Sequence, residues 1–198
     1  KAISAEGEMR DVKGVKFNAA DRESVVNGVE IRAHIKALPQ VPGTSTDYLW
    51  NVKAVHPDGK LLDLKAMDEK EQIYDVKAFV ENGNLHLLDV KALIGGQKCP
   101  VKVLESTDKY APVKAIGPDG KVYNIKAITA DKKILDVKGV SHSGKLIHIK
   151  AIGSNGALYG VKAISPDGQL YNVKGIESEE EMMINGVKVK AHVKALPQ

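Results

Sequence analysis

The chain has 198 residues, of which 43% are apolar and 27% are charged, so it can bury a core and lacks the composition of a disordered chain. Its net charge of +4 is too small to indicate nucleic-acid binding by itself, and its one cysteine, Cys99, excludes an internal disulfide framework and a cysteine-based metal cluster. No apolar run reaches the length of about 18 residues that a transmembrane helix needs.

A triplet of an aliphatic residue, lysine and a small residue recurs along the chain. Between Lys53 and Lys174, eight of the ten intervals between these motif lysines are twelve residues long. The intervening segments carry turn residues such as Gly117-Pro118-Asp119-Gly120, whose proline and final glycine suit a type I turn closed by a left-handed residue. The same pattern predicts turns at 56–59, 141–144, 153–156 and 165–168. Each repeat therefore reads as one strand and one tight turn.

The two faces of each strand follow from position relative to its motif lysine, here position 0, because alternate residues point to opposite sides of a sheet. Positions −3, −1 and +1 are apolar or small, as in Tyr123, Ile125 and Ala127 around Lys126, and we predict that they face the core. Positions −2 and 0 are polar and are predicted to face outward. By the same parity Cys99 is predicted to be a buried, inert thiol.

The turns also predict how neighbouring strands pair. If Gly117 pairs with Lys121 around its turn, Lys114 lies opposite Asn124 and each tyrosine at −3 lies opposite Ala or Gly. Applied to every step, this register places each motif lysine opposite the −2 residue of the next strand. That residue is Asp, Asn or His in most copies. Such cross-strand pairs contribute about 0.2–1 kcal/mol each.

We therefore predict an all-β fold, an antiparallel up-and-down meander of 12-residue strand-turn repeats folded into a two-layer sandwich or flattened barrel. A flat meander of this length would expose its edges, so the sheet is expected to curl over its apolar face. The acidic segment Glu177–Met183 is the only stretch in which the sequence allows a helical turn.

A second, longer repeat relates the two ends of the chain. Residues 1–40 match residues 162–198, and both copies end in Leu-Pro-Gln after an Asn-Gly pair. Because proline ends a ladder of hydrogen bonds, this ending is typical of a module terminus. We predict that 1–40 is the tail of an upstream repeat module and that 41–198 is a complete β-repeat module, with a linker at 41–46. The alternative is that the two tails occupy equivalent places within one fold.

The sequence carries no catalytic signature. The six histidines lack zinc-ligand spacing, the glycine-rich turns lack the strand-to-helix setting of a phosphate-binding loop, and no Ser-His-Asp arrangement or carboxylate pair stands out. We predict a protein that is not an enzyme and that holds no metal or cofactor. Arginine occurs only three times and aromatic residues nine times, which disfavours nucleic acid as a partner.

The rows of lysine are the feature best suited to a ligand, because ammonium groups attract polyanions. We predict anion binding at Lys114 and Lys162, since the register gives neither a carboxylate. Lys114 has Pro100 on its second side. Lys162 lies between His148 and Asn172, and His148 would add charge below about pH 6.5. The alternative is that these lysines only face water.

The leading functional prediction is a non-enzymatic, extracytoplasmic β-repeat module of a surface or secreted protein, with a structural or binding role. Its partner would be a polysaccharide, such as an acidic glycan, or another surface protein. Two alternatives belong to other classes. One is a carrier that holds a small apolar ligand inside a curled β-sheet, and the other is a glycan-active hydrolase.

Overall fold

The computed structural model of the chain describes residues 49–80, 85–166 and 168–197 with their side chains and, before residue 49, the backbone of five strands. These five are β1 (Ala2–Ile3), β2 (Met9–Val15), β3 (Ser24–Val26), β4 (Val29–Ile31) and β5 (His34–Pro39). The others are β6 (Leu49–Val55), β7 (Leu61–Met67), β8 (Ile73–Phe79), β9 (Leu88–Ile94), β10 (Gln97–Leu104), β11 (Ala111–Ile116), β12 (Val122–Ile128), β13 (Ile134–Ser143), β14 (Leu146–Ile152), β15 (Leu158–Ile164), β16 (Leu170–Glu177), β17 (Met183–Ile184) and β18 (Val187–Pro197).

The fold is all-β and antiparallel, as predicted, and the described residues contain no helix. Strands β6 to β16 follow one another as a meander, and β18 completes a flattened barrel. The helical turn allowed at Glu177–Met183 does not form, because β16 runs to Glu177 and an irregular segment follows it.

Four of the five predicted turns form as the sequence indicates. At 117–121 the Gly117 amide donates to the Lys121 carbonyl (2.8 Å), the Gly120 amide donates to the Gly117 carbonyl (3.0 Å), and Gly120 is left-handed (φ 77°). The same two bonds recur at 56–60, 153–157 and 165–169. The turn predicted at 141–144 is wrong, since β13 continues to Ser143 and the chain reverses at Gly144 and Lys145.

Twelve strands, β6 to β16 and β18, each pair with three other strands of this set instead of two, and β18 also pairs with β17. In the first group, the second half of β6 pairs with the first half of β7, β7 pairs in the same way with β8, and β8 returns to the first half of β6. We call such a cycle a strand triangle. Three more triangles are formed by β11–β13, by β14–β16, and by β9 with β10 and β18.

Six further strand pairs join the four triangles, and each sets one motif lysine directly opposite another. These pairs are Lys53 with Lys162, Lys65 with Lys126, Lys77 with Lys91, Lys102 with Lys114, Lys138 with Lys150, and Lys174 with Lys194. One edge of each strand is thus shared by its two triangle partners, while the other edge meets a strand of a neighbouring triangle. This branching closes the barrel and occupies the edges that an open meander would expose.

The predicted register is correct within triangles and wrong between them. Lys114 lies opposite Asn124 and Lys53 opposite Asp63, as the turn geometry requires. Between triangles, however, the predicted pairing of a lysine with the next −2 residue is replaced by lysine opposite lysine, as in Lys138 and Lys150. The two registers differ by two residues, a shift that leaves every side chain on its own face.

The interior is built from the predicted apolar face. Ile125 and Val137 at −1 are 3% and 1% exposed, and Cys99 is buried as expected. Tyrosines at −3 lie opposite small residues, as Tyr123 does opposite Ala115. The buried side chains form one core cluster that extends through all twelve strands of the barrel.

Candidate functional site

Each strand triangle presents three motif lysines on the outer face of the barrel. Within a triangle, a lysine points at the −2 side chain of the strand that follows in the cycle, because the register places those two residues opposite each other. In the β6–β8 triangle, Lys53 and Lys65 contact Asp63 and Asp75, while the Lys77 ammonium donates to the Asn51 side-chain oxygen at 2.8 Å. This triangle therefore carries three ammonium groups and two carboxylates.

The other triangles differ in how many carboxylates stand at −2. The triangle of β9, β10 and β18 has one, Asp89, which contacts Lys194 and lies 3.6 Å from the Lys91 ammonium. The β11–β13 triangle also has one, Asp136, which binds Lys126 at 2.5 Å. The β14–β16 triangle has none, since its −2 residues are His148, Gly160 and Asn172.

The lysines of the β14–β16 triangle have only neutral partners at −2. The Lys162 ammonium donates to the Asn172 side-chain oxygen at 2.6 Å, and the Lys174 ammonium lies 3.2 Å from Nδ1 of His148. Lys150 lies opposite Gly160, where its ammonium would be 3.6 Å from an added Cβ. Three positive charges thus share one small area with no carboxylate at the −2 positions, and the carboxylate of this triangle, Glu177 at the end of β16, contacts His142 instead.

The electrostatics of the β14–β16 triangle follow from this composition. Burial and then the charge of Lys150 lower the pKa of Lys162, and the same two causes with Lys162 added lower the pKa of Lys174. No carboxylate is among the causes for either lysine. In the β6–β8 triangle, by contrast, burial lowers the pKa of Lys77 while Asp75 acts in the opposite direction.

The positive charge continues into the neighbouring triangle. Lys150 lies opposite Lys138, whose own −2 partner in the β11–β13 triangle is Pro112. Lys114 belongs to that triangle and contacts Asn124. We call these five lysines the lysine path: Lys114, Lys138, Lys150, Lys162 and Lys174.

The structure brings two of the three predicted anion-binding residues into one triangle. Lys162 and His148 both belong to β14–β16, but the predicted contact between them is wrong, since His148 lies opposite Lys174 and Lys162 lies opposite Lys53. Burial, and then Lys174, lower the pKa of His148, so it gains a proton at lower pH than predicted.

Lys114 lies in the adjacent triangle, where Lys102 and not Pro100 stands on its second side. The sequence reasoning missed Lys138, Lys150 and Lys174. For Lys150 the signal was present in the sequence, because its −2 partner, Gly160, has no side chain that could accept a hydrogen bond.

The described part of the chain lacks a metal site and a membrane-spanning helix. No group of three or more His, Cys, Asp or Glu side chains there is arranged to hold a metal ion. The described residues also contain no helix that could cross a membrane.

Comparison with known proteins places the chain in a family. The sequence profile of DUF7486, a family of unknown function, matches residues 1–38 and 46–196. The chain belongs to this family. No curated protein and no solved structure matches it. The DUF7486 match is interrupted at 39–45, beside the boundary predicted between residues 40 and 41.

Proposed function

We propose that this chain is a non-enzymatic binding module of a secreted or cell-surface protein, and that its lysine path binds an acidic polysaccharide. The observation that carries the proposal is the β14–β16 triangle, in which Lys150, Lys162 and Lys174 converge without a carboxylate at any −2 position. The strand repeats and the single cysteine support the extracytoplasmic location.

A bound polyanion would supply the charge that this surface lacks. Like charges directly opposite each other in a sheet are destabilising, and Lys150 faces Lys138 across the pair of β13 with β14. The stems of the motif lysines lie half-buried along the sheet, which limits their rotamer freedom before a ligand arrives. Binding a ligand therefore immobilises fewer rotatable bonds of the lysine side chains, and costs less conformational entropy, than binding to fully exposed lysines.

The residue types favour an acidic glycan over a nucleic acid. All three arginines precede residue 49, so the barrel strands β6 to β18 present lysine alone. Lysine is a compact point charge that suits scattered sulfate or carboxylate groups, whereas guanidinium forks suit phosphate and base edges. From β6 onward Trp50, Phe79, Tyr123 and Tyr159 are buried, and the partly exposed aromatic residues are three tyrosines, too few for a row of stacked bases: Tyr74, Tyr110 and Tyr171.

The test is titration of a sulfated oligosaccharide, followed by lysine and amide resonances, with variants that add one carboxylate. Asn172→Asp places a carboxylate beside Lys162, and Gly160→Asp places one beside Lys150. The matched control is Asn51→Asp, which makes the same charge change at the same position of the β6–β8 triangle. We expect Asn172→Asp and Gly160→Asp each to weaken binding at least about fivefold, equivalent to about 1 kcal/mol, and Asn51→Asp to weaken it less.

Equal weakening by all three variants would show a response to net charge only and would contradict this site. Absence of binding to both sulfated and uronic-acid oligosaccharides would contradict the proposed function. The two alternative functions are tested with the same preparation: organic extraction and mass spectrometry would reveal a carried apolar ligand, and shortening of the oligosaccharide would reveal a glycan hydrolase.

A further inference from the structure

The strands before residue 40 repeat the pairings of the last strands of the barrel. In the pair of β2 with β5, Lys13 lies opposite Lys36 and Val15 opposite His34, just as Lys174 lies opposite Lys194 and Ile176 opposite His192. The short hairpins agree too: Val26 pairs with Val29 as Ile184 pairs with Val187. Strands β2 to β5 therefore have the backbone pairing of strands β16 to β18.

Residues 170–197 are the segment that closes the barrel. Strand β16 pairs with β14 and β15, and β18 pairs with β9 and β10. The strands from β6 to β15 thus offer edges that accept these two strands. A segment with the same register presents its backbone donors and acceptors at the same spacing, so it can pair with the same edges.

The acceptor also requires a small residue at one place, and both segments supply it. A Cβ on Gly175 would lie 3.0 Å from Val103 and 3.1 Å from Ala191, so a side chain there would require these neighbours to move apart. The N-terminal segment has Gly14 at the corresponding position. Of the twelve barrel strands, two carry glycine at +1, Gly139 in β13 and Gly175 in β16, so Gly14 fits few positions of the barrel.

The closing segment ends near the start of β6, so the exchange can occur within one molecule. Pro197 lies opposite Tyr171, whose ring is 4.5 Å from the ring of Trp50, so the closing segment ends near the start of β6 at Leu49. If residues 9–39 took that place, residues 40–48 would have to connect Pro39 to Leu49. Nine residues span up to about 30 Å, which is ample for this gap.

We propose that residues 9–39 are a second closing segment, which can take the place of residues 170–197 in the barrel of the same chain. The exchange would set Asp11 where Asn172 stands, opposite Lys162, and so add a carboxylate to the β14–β16 triangle. That one consequence rests on the proposed function, because it predicts that a polyanion favours closure by residues 170–197. The exchange itself does not depend on any ligand.

The experiment uses cysteine pairs in the full chain without ligand. Because His148 and Lys174 are opposite in an antiparallel pair, their Cα atoms lie within the range that a disulfide bridges. His148→Cys with Lys174→Cys reports the closure seen here, and His148→Cys with Lys13→Cys reports the exchanged closure. Both pairs are measured in the presence of Val193→Ala, which weakens the core packing of β18 while leaving Ile35, its counterpart, intact.

We expect Val193→Ala to raise the intramolecular disulfide between positions 13 and 148 at least about tenfold, since losing buried methyl groups weakens only one competing segment. Adding Ile35→Ala should reverse this rise. An unchanged fraction with Val193→Ala, a rise that Ile35→Ala does not reverse, or a disulfide formed only between two chains would each overturn the proposal. A second variant, Val193→Asp, tests the exchange in another way, because the chain should remain folded with residues 9–39 in the barrel. If Val193→Asp unfolds as completely as the double variant Val193→Asp with Ile35→Asp, the proposal is overturned.

Discussion

Lys138 and Lys150 lie directly opposite each other where β13 pairs with β14. They are twelve residues apart, as are Lys114 and Lys126, yet those two each pair with a −2 residue of the next strand. One spacing thus supports two registers. The lysine-to-lysine register joins two triangles. Within its own triangle neither lysine faces a carboxylate, since Lys138 lies opposite Pro112 and Lys150 lies opposite Gly160.

The opposed pair predicts an unusual result for a lysine substitution. Lys138→Gln removes repulsion from Lys150 and Lys114 and loses one attraction to Asp136, and we expect the free energy of unfolding to rise by up to about 1 kcal/mol. The neighbouring change Val137→Asp should unfold the barrel, because Val137 is fully buried and an unpaired charge in a core is very costly. Urea denaturation of both variants tests this. Greater damage from Lys138→Gln would mean that the outward face contributes more to stability than the core.

The close packing around Gly175 predicts that a larger residue at this position destabilises the barrel. A Cβ on Gly175 would lie 3.0 Å from a Val103 methyl group, so Gly175→Ala should lower the free energy of unfolding by about 1–3 kcal/mol. Gly160→Ala is the control, since its Cβ would meet only the flexible Lys150 end at 3.6 Å. We expect Val103→Ala to lower the free energy of unfolding less in the Gly175→Ala background than in the wild type, because it relieves one of the three close contacts. Additive costs in the double variant would contradict this explanation.

The lowered pKa of Lys102 predicts that the free energy of unfolding rises at alkaline pH. Burial, with the nearby charges of Lys91 and Lys194, lowers the pKa of Lys102 to about 8, against 10.5 for the free side chain. Between those values the unfolded chain holds a proton that the folded chain has lost, so folding becomes more favourable as pH rises. Lys102→Met should stabilise the protein at pH 7 by up to about 3 kcal/mol and reduce the rise between pH 8 and 10.5.

The control for this prediction is Lys70→Met, because Lys70 is exposed on a turn. It should leave the dependence of stability on pH unchanged. Urea midpoints at pH 7, 8.5 and 10 provide the measurement. An equal rise in wild type and Lys102→Met would show that Lys102 does not cause it.

The local structure of this protein was readable from its sequence. Glycine and proline punctuation located four of five turns, and the period of two along each strand placed Ile125, Val137 and Cys99 inside. Within a triangle the turn also fixes register, so the contact of Lys114 with Asn124 could be predicted. These features depend on residues that are close in sequence, whose backbone geometry is restricted by sterics.

Which triangles form, and which lysines meet, was decided only by the tertiary structure. Closing the barrel requires each strand to find a partner far away in sequence, such as β12 for β7, and no local spacing encodes that choice. The alternation of apolar and polar residues does not specify the partner or the register, because a register shift of two residues keeps every side chain on its face. The sequence therefore determined that Lys162 and His148 point outward, while long-range pairing determined that they share a surface with Lys150 and Lys174 and have no carboxylate among them.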